Sequence, residues 1–507
     1  MKIKVQKLTI GAVLIAAASA FLFCSGFKKA SDYGNGENGY LKSATYYSDE
    51  WVINFWNSES SHMEEELKQI AEDGFNSIIL VVPWREFQPS MNPQRYNDYA
   101  WEKFDRVMEA AQRQNLKVML RVGYTWDYYS GDNVLERYEK LLYDDGTKRA
   151  WIQYAKRLYE RAAVHENFCG GFITWEDFWN FAENSVFYGS GLAGRKMASK
   201  CGYTQYVKEH YTLEELEEMY QDTFKTYEDV YLPDSLNTYS RKVFYQFYDD
   251  FLNKILAETQ AVFPDLSMEV RLDIDPVKRP DGTLEGVFHD ATFTCGSSGF
   301  TSAMYSVAMG FESNGQELSA AQALAGTGQN LDRLSAANGG KKLYVDQFLF
   351  TDNTPGFEQN AKLTESEKSA YLDGVADIFK AKTLGYAIWT YRDYGDNKLY
   401  NPQFALDKQG WDFSSGSYIE ERDGNKIAVI PPFGKISQNI KKRSAGGNGK
   451  KAHVRFWLEG DGNCRVTVQG GEKSQTVPAG APQIIELTFP GISISEVSFT
   501  VQGTGKV

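Results

Sequence analysis

Residues 77–85 read Ser77-Ile78-Ile79-Leu80-Val81-Val82-Pro83-Trp84-Arg85, and the organisation of the chain follows from them. An uncharged run rich in β-branched side chains is what a strand requires when both of its faces are covered. Just before it, residues 62–73 space their apolar side chains as a helix does, and Gly74 stands where a left-handed C-cap is wanted. A helix feeding a doubly covered strand is part of a βα repeat, and the same grammar recurs on either side. Residues 51–56 (WVINFW), 116–122 (LKVMLRV), 170–176 (GGFITWE), 266–272 (LSMEVRL), 302–308, 343–348 (LYVDQF) and 385–389 (GYAIW) are the other strand candidates. Helical patterns fill residues 101–114, 147–165, 213–229, 239–263, 318–337 and 364–383. Eight strands alternating with helices over roughly 390 residues predict an α/β chain closed into a (β/α)8 barrel with long loops at one end. An open doubly wound sheet would compete, but the first strand lacks the glycine-rich loop that cradles a nucleotide.

Near Gly434 the rhythm changes to short alternating runs separated by Gly, Asn and Pro turns, and residues 444–450 (SAGGNGK) read as a linker. The expected division is a signal peptide or membrane anchor at 1–30, a linker at 31–45, the barrel at 46–435 and a small all-β, sandwich-like module at 446–507. The N-terminus supports export: Lys2, Lys4 and Lys7 precede an apolar run at 8–23 containing Ala18-Ser19-Ala20. Residues 8–27 are also about long enough to span a bilayer, so the segment either is cleaved or tethers the chain to the cell surface.

The 507 residues carry a formal net charge of −13, and no basic stripe runs through them, which argues against a nucleic-acid partner. Five cysteines without a CxxC pair, and five histidines without HExxH, point to neither a disulfide framework nor a zinc site. No metal or organic cofactor is implied. Aromatic residues reach 14%, enough to line a groove where flat rings meet flat sugar faces as well as to fill a core.

Barrel enzymes place their chemistry where strands end and βα loops begin. The second strand ends in Pro83-Trp84-Arg85. The third contains Arg121 and runs on to Trp126-Asp127. The fourth ends in Trp175-Glu176-Asp177 with Trp179 close behind. The seventh ends in Asp346-Gln347-Phe348 and the eighth in Trp389, with Arg392 following; Tyr305 lies on the sixth. Carboxylates, arginines and tryptophans thus gather at one rim. Cleaving a glycosidic bond needs two carboxyl groups in different protonation states, one to protonate the leaving oxygen and one to attack the anomeric carbon or activate water. Glu176, between aromatic neighbours, suits the acid, because desolvation favours its neutral form. Trp84, Trp126, Trp179 and Trp389 are candidate sugar platforms, with core packing as the alternative. Arg121, Asp127, Tyr305, Gln347 and Arg392 are candidate hydroxyl or carboxylate contacts.

The strand order and the segment Gly385-Tyr386-Ala387-Ile388-Trp389-Thr390-Tyr391-Arg392-Asp393 resemble the retaining (β/α)8 glycoside hydrolases that include cellulases, mannanases and β-galactosidases. That resemblance implies an acid/base Glu at the end of the fourth strand, matching Glu176, a nucleophile Glu at the end of the seventh, and an aromatic floor at Trp389. It also implies a β-linked polysaccharide or oligosaccharide as substrate. The chain departs from the pattern twice. Trp175 stands where Asn is usual, so a shifted register would make Asp177 the acid. Gln347 stands where the nucleophile belongs, and an amide does not form the glycosyl ester. Asp346 would serve if the strand twists or a bulge re-aims it; Asp352 and Glu358 in the following loop are further candidates. Three functions therefore remain open: a retaining hydrolase, an inverting or substrate-assisted one, and a carbohydrate-binding protein on a barrel that has lost its nucleophile.

Overall fold

In the computed structural model, the structure describes residues 32–34, 39–48, 52–57, 62–124, 134–174, 181, 184–235, 238–271, 275–287, 298–306, 316–349, 361–392, 399, 401–404, 407–422, 425–439, 451–470, 473–490 and 496–507. Eight parallel strands close into a barrel in sequence order: β1 Leu41–Tyr46, β2 Ser77–Pro83, β3 Lys117–Tyr124, β4 Phe168–Thr174, β5 Ser267–Arg271, β6 Phe300–Ser306, β7 Lys342–Leu349 and β8 Thr383–Ile388. The ring shuts through β1 and β8, where Leu41 lies opposite Gly385 and Ser43 opposite Ala387. The outer helices include α1 Met63–Glu72, α2 Asp98–Arg113, α3 Asp145–Ala162, α4 Ser240–Gln260, α5 Ala320–Ala337 and α6 Lys368–Lys382.

Local chemistry sets several of these boundaries. Asn97 and Asp144 accept the backbone N–H groups of Ala100 and Thr147, capping α2 and α3, and Ser319 forms a reciprocal capping box with Gln322 at the start of α5. At the end of β3, Gly123 adopts φ +86°, and a Cβ there would lie 2.6 Å from the Trp151 ring. No larger residue fits without moving that tryptophan.

Three expectations are corrected. The first barrel strand is residues 41–46, ahead of the predicted domain start; within 51–56, Val52–Phe55 forms a short helix instead. That segment is apolar because it is tucked over the barrel wall: Trp56 is buried, donates its indole N–H to Val81 O (2.8 Å) and packs edge-on against Phe87. The helix predicted at 213–229 stops at Tyr220, where Gln221 turns left-handed, and a 3-10 turn at Tyr227–Asp229 follows.

The C-terminal module also begins earlier than its composition suggests. Its strands are β9 Asp412–Phe413, β10 Tyr418–Arg422, β11 Asn425–Val429, β12 Lys435–Asn439, β13 Lys451–Leu458, β14 Arg465–Gly470, β15 Lys473–Pro478, β16 Gln483–Pro490 and β17 Glu496–Gln502. A five-stranded sheet of order β9-β12-β17-β14-β15 is accompanied by two separate ribbons, β10-β11 and β13-β16. Trp411, Ile436, Val466, Leu487, Phe489 and Phe499 share its core. Strands before residue 440 are thus part of the module, and the predicted linker at 444–450 lies outside the described residues.

Candidate active site

Five of the expected site residues, Trp126, Asp127, Glu176, Asp177 and Trp179, lie outside the described residues, as do Asp352 and Glu358. β4 ends at Thr174, two residues before Glu176. What the structure does place is the barrel wall itself.

β7 carries the decisive local feature. Tyr344 faces the interior, with its ring 6.5 Å from that of Phe172 on β4 and its hydroxyl donating to Ser43 Oγ on β1 (2.8 Å). Burial holds the Tyr344 phenol well above its ordinary pKa, so it stays a donor. Val345 and Phe348 face outward, into the cluster beneath α5 and α6, with Phe348 5.0 Å from the Phe379 ring and 6.2 Å from the Tyr371 ring. Strict alternation leaves one inward residue between two outward ones. Here two intervene, Asp346 and Gln347. The ladders on both sides show the surplus: Ala303 and Met304 of β6 sit opposite Val345 and Gln347, and Tyr386 and Ile388 of β8 sit opposite Val345 and Phe348. The strand therefore contains a β-bulge, which turns Asp346 and Gln347 together toward the interior. Both are buried, at 1% and 6% exposure.

β5 contributes a carboxylate that sequence reading passed over. Met268 and Val270 pack outward, so Ser267 and Glu269 face in, and Glu269 is fully buried opposite Thr174 of β4 and Ser302 of β6. The signal was present in LSMEVRL: a parallel strand covered on both faces has little reason to carry alternating Ser, Glu and Arg unless one face is a polar interior. On β3, Arg121 lies opposite Phe172 of β4 and is likewise buried, its guanidinium carbon 5.4 Å from the centroid of the Trp389 ring. Trp389, directly after β8, is half-buried and packs against Tyr47, with centroids 5.8 Å apart. Arg121, Glu269, Asp346, Gln347 and Trp389 thus gather on the inner wall or its rim.

Two other candidates stand elsewhere. Trp84 is no platform: it opens a short helix, Trp84–Phe87, with zero exposure, its indole N–H donates to Gln88 Oε1 (2.7 Å), and Trp151, Tyr138 and Tyr154 surround it. The aliphatic run before it ends in the barrel wall, and the first residue of the loop is drawn under α3. Arg392 is half-exposed and lies 3.9 Å from Glu66 of α1. Its neighbour Tyr391 donates to Asp73 (2.6 Å), and desolvation together with that carboxylate pushes the phenol up to about 12. The segment after Trp389 is thereby held against α1. Tyr305 stands opposite Phe348 in the ladder. Among the described residues, no group of three or more His, Cys, Asp or Glu side chains is placed to hold a metal ion.

No family model matches this chain, and no curated protein matches it. Solved structures with a similar course include a β-glucosidase, 12% identical over 70% of this chain and 88% of its own, with a TM-score of 0.41. A β-galactosidase from the psychrophilic Marinomonas ef1 is 13% identical, covering 71% of this chain and 56% of its own, with a TM-score of 0.46. An exo-β-1,4-mannosidase from Opitutaceae bacterium strain TAV5 is 12% identical, covering 72% and 55%, with a TM-score of 0.39. This chain spans little more than half the length of the latter two. The fold class rests on its own closed ring of strands: a (β/α)8 barrel followed by an all-β module.

Proposed function

We propose that the protein is an exported glycoside hydrolase that cleaves O-glycosidic bonds in a β-linked polysaccharide or oligosaccharide, with Glu176 as acid/base and Asp346 as nucleophile. The observation that carries this reading is the bulge in β7. It adds a carboxylate to the inner wall beside the amide that interrupts the family pattern, so the barrel keeps an acid on the strand where a retaining enzyme needs one. In the reaction, the Glu176 carboxyl gives its proton to the leaving oxygen as Asp346 bonds to the anomeric carbon. Glu176 then takes a proton from water, which displaces Asp346 and releases the sugar. Arg121 supplies positive charge to an interior that also holds Glu269 and Asp346, offsetting the cost of burying two carboxyl groups. Trp389 offers its ring as the floor of the sugar site. Export, through a cleaved signal or a retained anchor at residues 1–30, is part of the proposal; no described helix is long and apolar enough to cross a membrane.

The test is hydrolysis of a panel of β-linked polysaccharides and aryl β-glycosides, followed by new reducing ends. Asp346→Asn is expected to lower kcat by about 10⁴-fold or more, as loss of a nucleophile does. Glu176→Gln is expected to cost about 10²–10⁴-fold, most on substrates with poor leaving groups. Gln347→Ala should cost kcat far less than Asp346→Asn does, because the amide forms no covalent bond to the sugar. Full activity in Asp346→Asn would remove the nucleophile assignment. One further reading is favoured by Gln347 itself: a barrel that binds β-glycans without turning them over. Saturable glycan binding by wild type with no hydrolysis across the panel would establish it.

A further inference from the structure

Trp389 is the first residue past β8. Ile388, just before it, is fixed in the wall by register with Ala44 of β1 and Phe348 of β7. After Trp389 the chain leaves the wall, and a ring carried on a loose rim loop would swing with that loop. A sugar would then have to order the ring on binding, which weakens affinity.

The next three residues are instead tied down. Thr45 O on β1 accepts both the Tyr391 N–H (3.2 Å) and the Thr390 hydroxyl (3.2 Å). The Tyr391 hydroxyl donates to Asp73 (2.6 Å), and its ring meets Phe75 edge-on with centroids 6.2 Å apart. Asp73 and Phe75 belong to the turn between α1 and β2. Asp73 is itself held, because Gln69, one helical turn back, donates to its other carboxylate oxygen (2.9 Å). Arg392 lies over the Tyr391 ring, 5.8 Å from its centroid, and reaches toward Glu66 on α1. Glu66 in turn accepts from the hydroxyls of Tyr46 and Ser48 (2.9 and 3.0 Å), the two neighbours of the Tyr47 against which Trp389 packs. The ring and the segment behind it are thus referred to the same frame, the end of β1 and helix α1. Asp73 is exposed, and exposed polar pairs add little to stability, so what its bond to Tyr391 contributes is geometry.

We propose that Tyr391 and Asp73 are positioning residues for the sugar floor. Through them the outer helix α1 fixes the loop after β8, so that the Trp389 ring stands in place against Tyr47 and Arg121 before a glycan arrives. The inference rests on the reading of Trp389 as that floor. Neither residue needs to touch the sugar. A preset ring serves substrate and transition state alike, so loosening it raises KM and leaves kcat.

Tyr391→Phe removes one oxygen and keeps the ring on Phe75. On the panel glycan that wild type cleaves fastest, KM should rise about threefold or more, with kcat within about twofold. Asp73→Ala should do the same, and Asp73→Asn, which keeps an acceptor, should hold the wild-type KM. The double variant of Tyr391→Phe with Asp73→Ala should be no worse than either single, because both remove one contact. A readout without substrate comes from fluorine NMR of protein labelled with 5-fluorotryptophan, the Trp389 line being assigned by its loss in Trp389→Phe. That line should shift or broaden in Tyr391→Phe and in Asp73→Ala, and stay in Asp73→Asn. An unmoved line in the first two variants, an unchanged KM in them, or fully additive effects in the double variant would each overturn the proposal. Wild type that cleaves nothing on the panel would end the hydrolase reading alone; the Trp389 line would still decide the latch, supporting it if moved and ending it if not.

Discussion

Trp84 separates two accounts of the aromatic rim, and its replacement can be worked through quantitatively. At zero exposure it touches Trp151, Tyr138 and Tyr154 with centroids 5.1, 5.6 and 6.4 Å away, and Arg137 lies 5.5 Å above the ring. Removing a buried tryptophan side chain costs about 3–5 kcal/mol in lost transfer energy and cavity formation. Its indole also donates to the buried Gln88 Oε1, and leaving that acceptor unmet adds about 1–3 kcal/mol. The terms overlap, so Trp84→Ala is expected to lose about 5 kcal/mol, a large share of the roughly 5–15 kcal/mol that holds a domain folded. Trp84→Phe keeps most of the packing and gives up the donor, for about 1–3 kcal/mol. Urea unfolding followed by far-UV circular dichroism reads both. With a slope near 3 kcal/mol/M, the alanine midpoint should fall by about 1.7 M. KM for any glycan substrate should stay within about twofold in Trp84→Phe, because the ring meets no ligand. A loss below about 1 kcal/mol in Trp84→Ala, together with a raised KM, would refute the core assignment and restore Trp84 to the sugar groove.

Other consequences are as direct. Glu269→Gln keeps the shape of a fully buried group that faces the same interior as Asp346, so the thermal midpoint should move by a few degrees at most while kcat falls by about tenfold or more; unchanged kcat with altered stability would make Glu269 purely structural. Burial pushes the thiols of Cys169 and Cys201 up to about 12 from an ordinary value near 9. The folded state therefore holds their protons while the unfolded state releases them, so their stabilising effect is complete below pH 9 and is lost as pH rises from 9 toward 12. Cys169→Ala should flatten the fall in urea midpoint across that window, and an equally steep fall in the variant would contradict the cause. In the folded chain at pH 8, neither thiol should react with iodoacetamide within an hour.

How far the chain can be read without coordinates depends on how local each cause is. The βα alternation, and with it the barrel, was legible because strand and helix periodicities are properties of short segments, and seven of the eight strands fall where their apolar runs lie. The eighth run, at 51–56, misled because aromatic and apolar residues serve a buried helical turn as well as a strand; Leu41–Tyr46 won by closing the ring against β8. The module's true extent was hidden for the same reason, since β9 and β12 become part of a sheet only by pairing across sequence, β12 with β17.

At the site, residue type alone marked the acids and the arginine near strand ends, but not their direction. Alternation predicts facing only while the ladder stays in step, and the extra residue at Asp346 breaks that step because both neighbouring strands pair around it. Whether a tryptophan meets solvent is also a tertiary outcome: Trp84 and Trp389 each follow a barrel strand, yet α3 packs over one and leaves the other at the rim. The sequence by itself determined which segments could be strands and which chemical groups stand near their ends. Register, bulge and burial were decided by the tertiary structure, because each depends on contacts between segments tens to hundreds of residues apart.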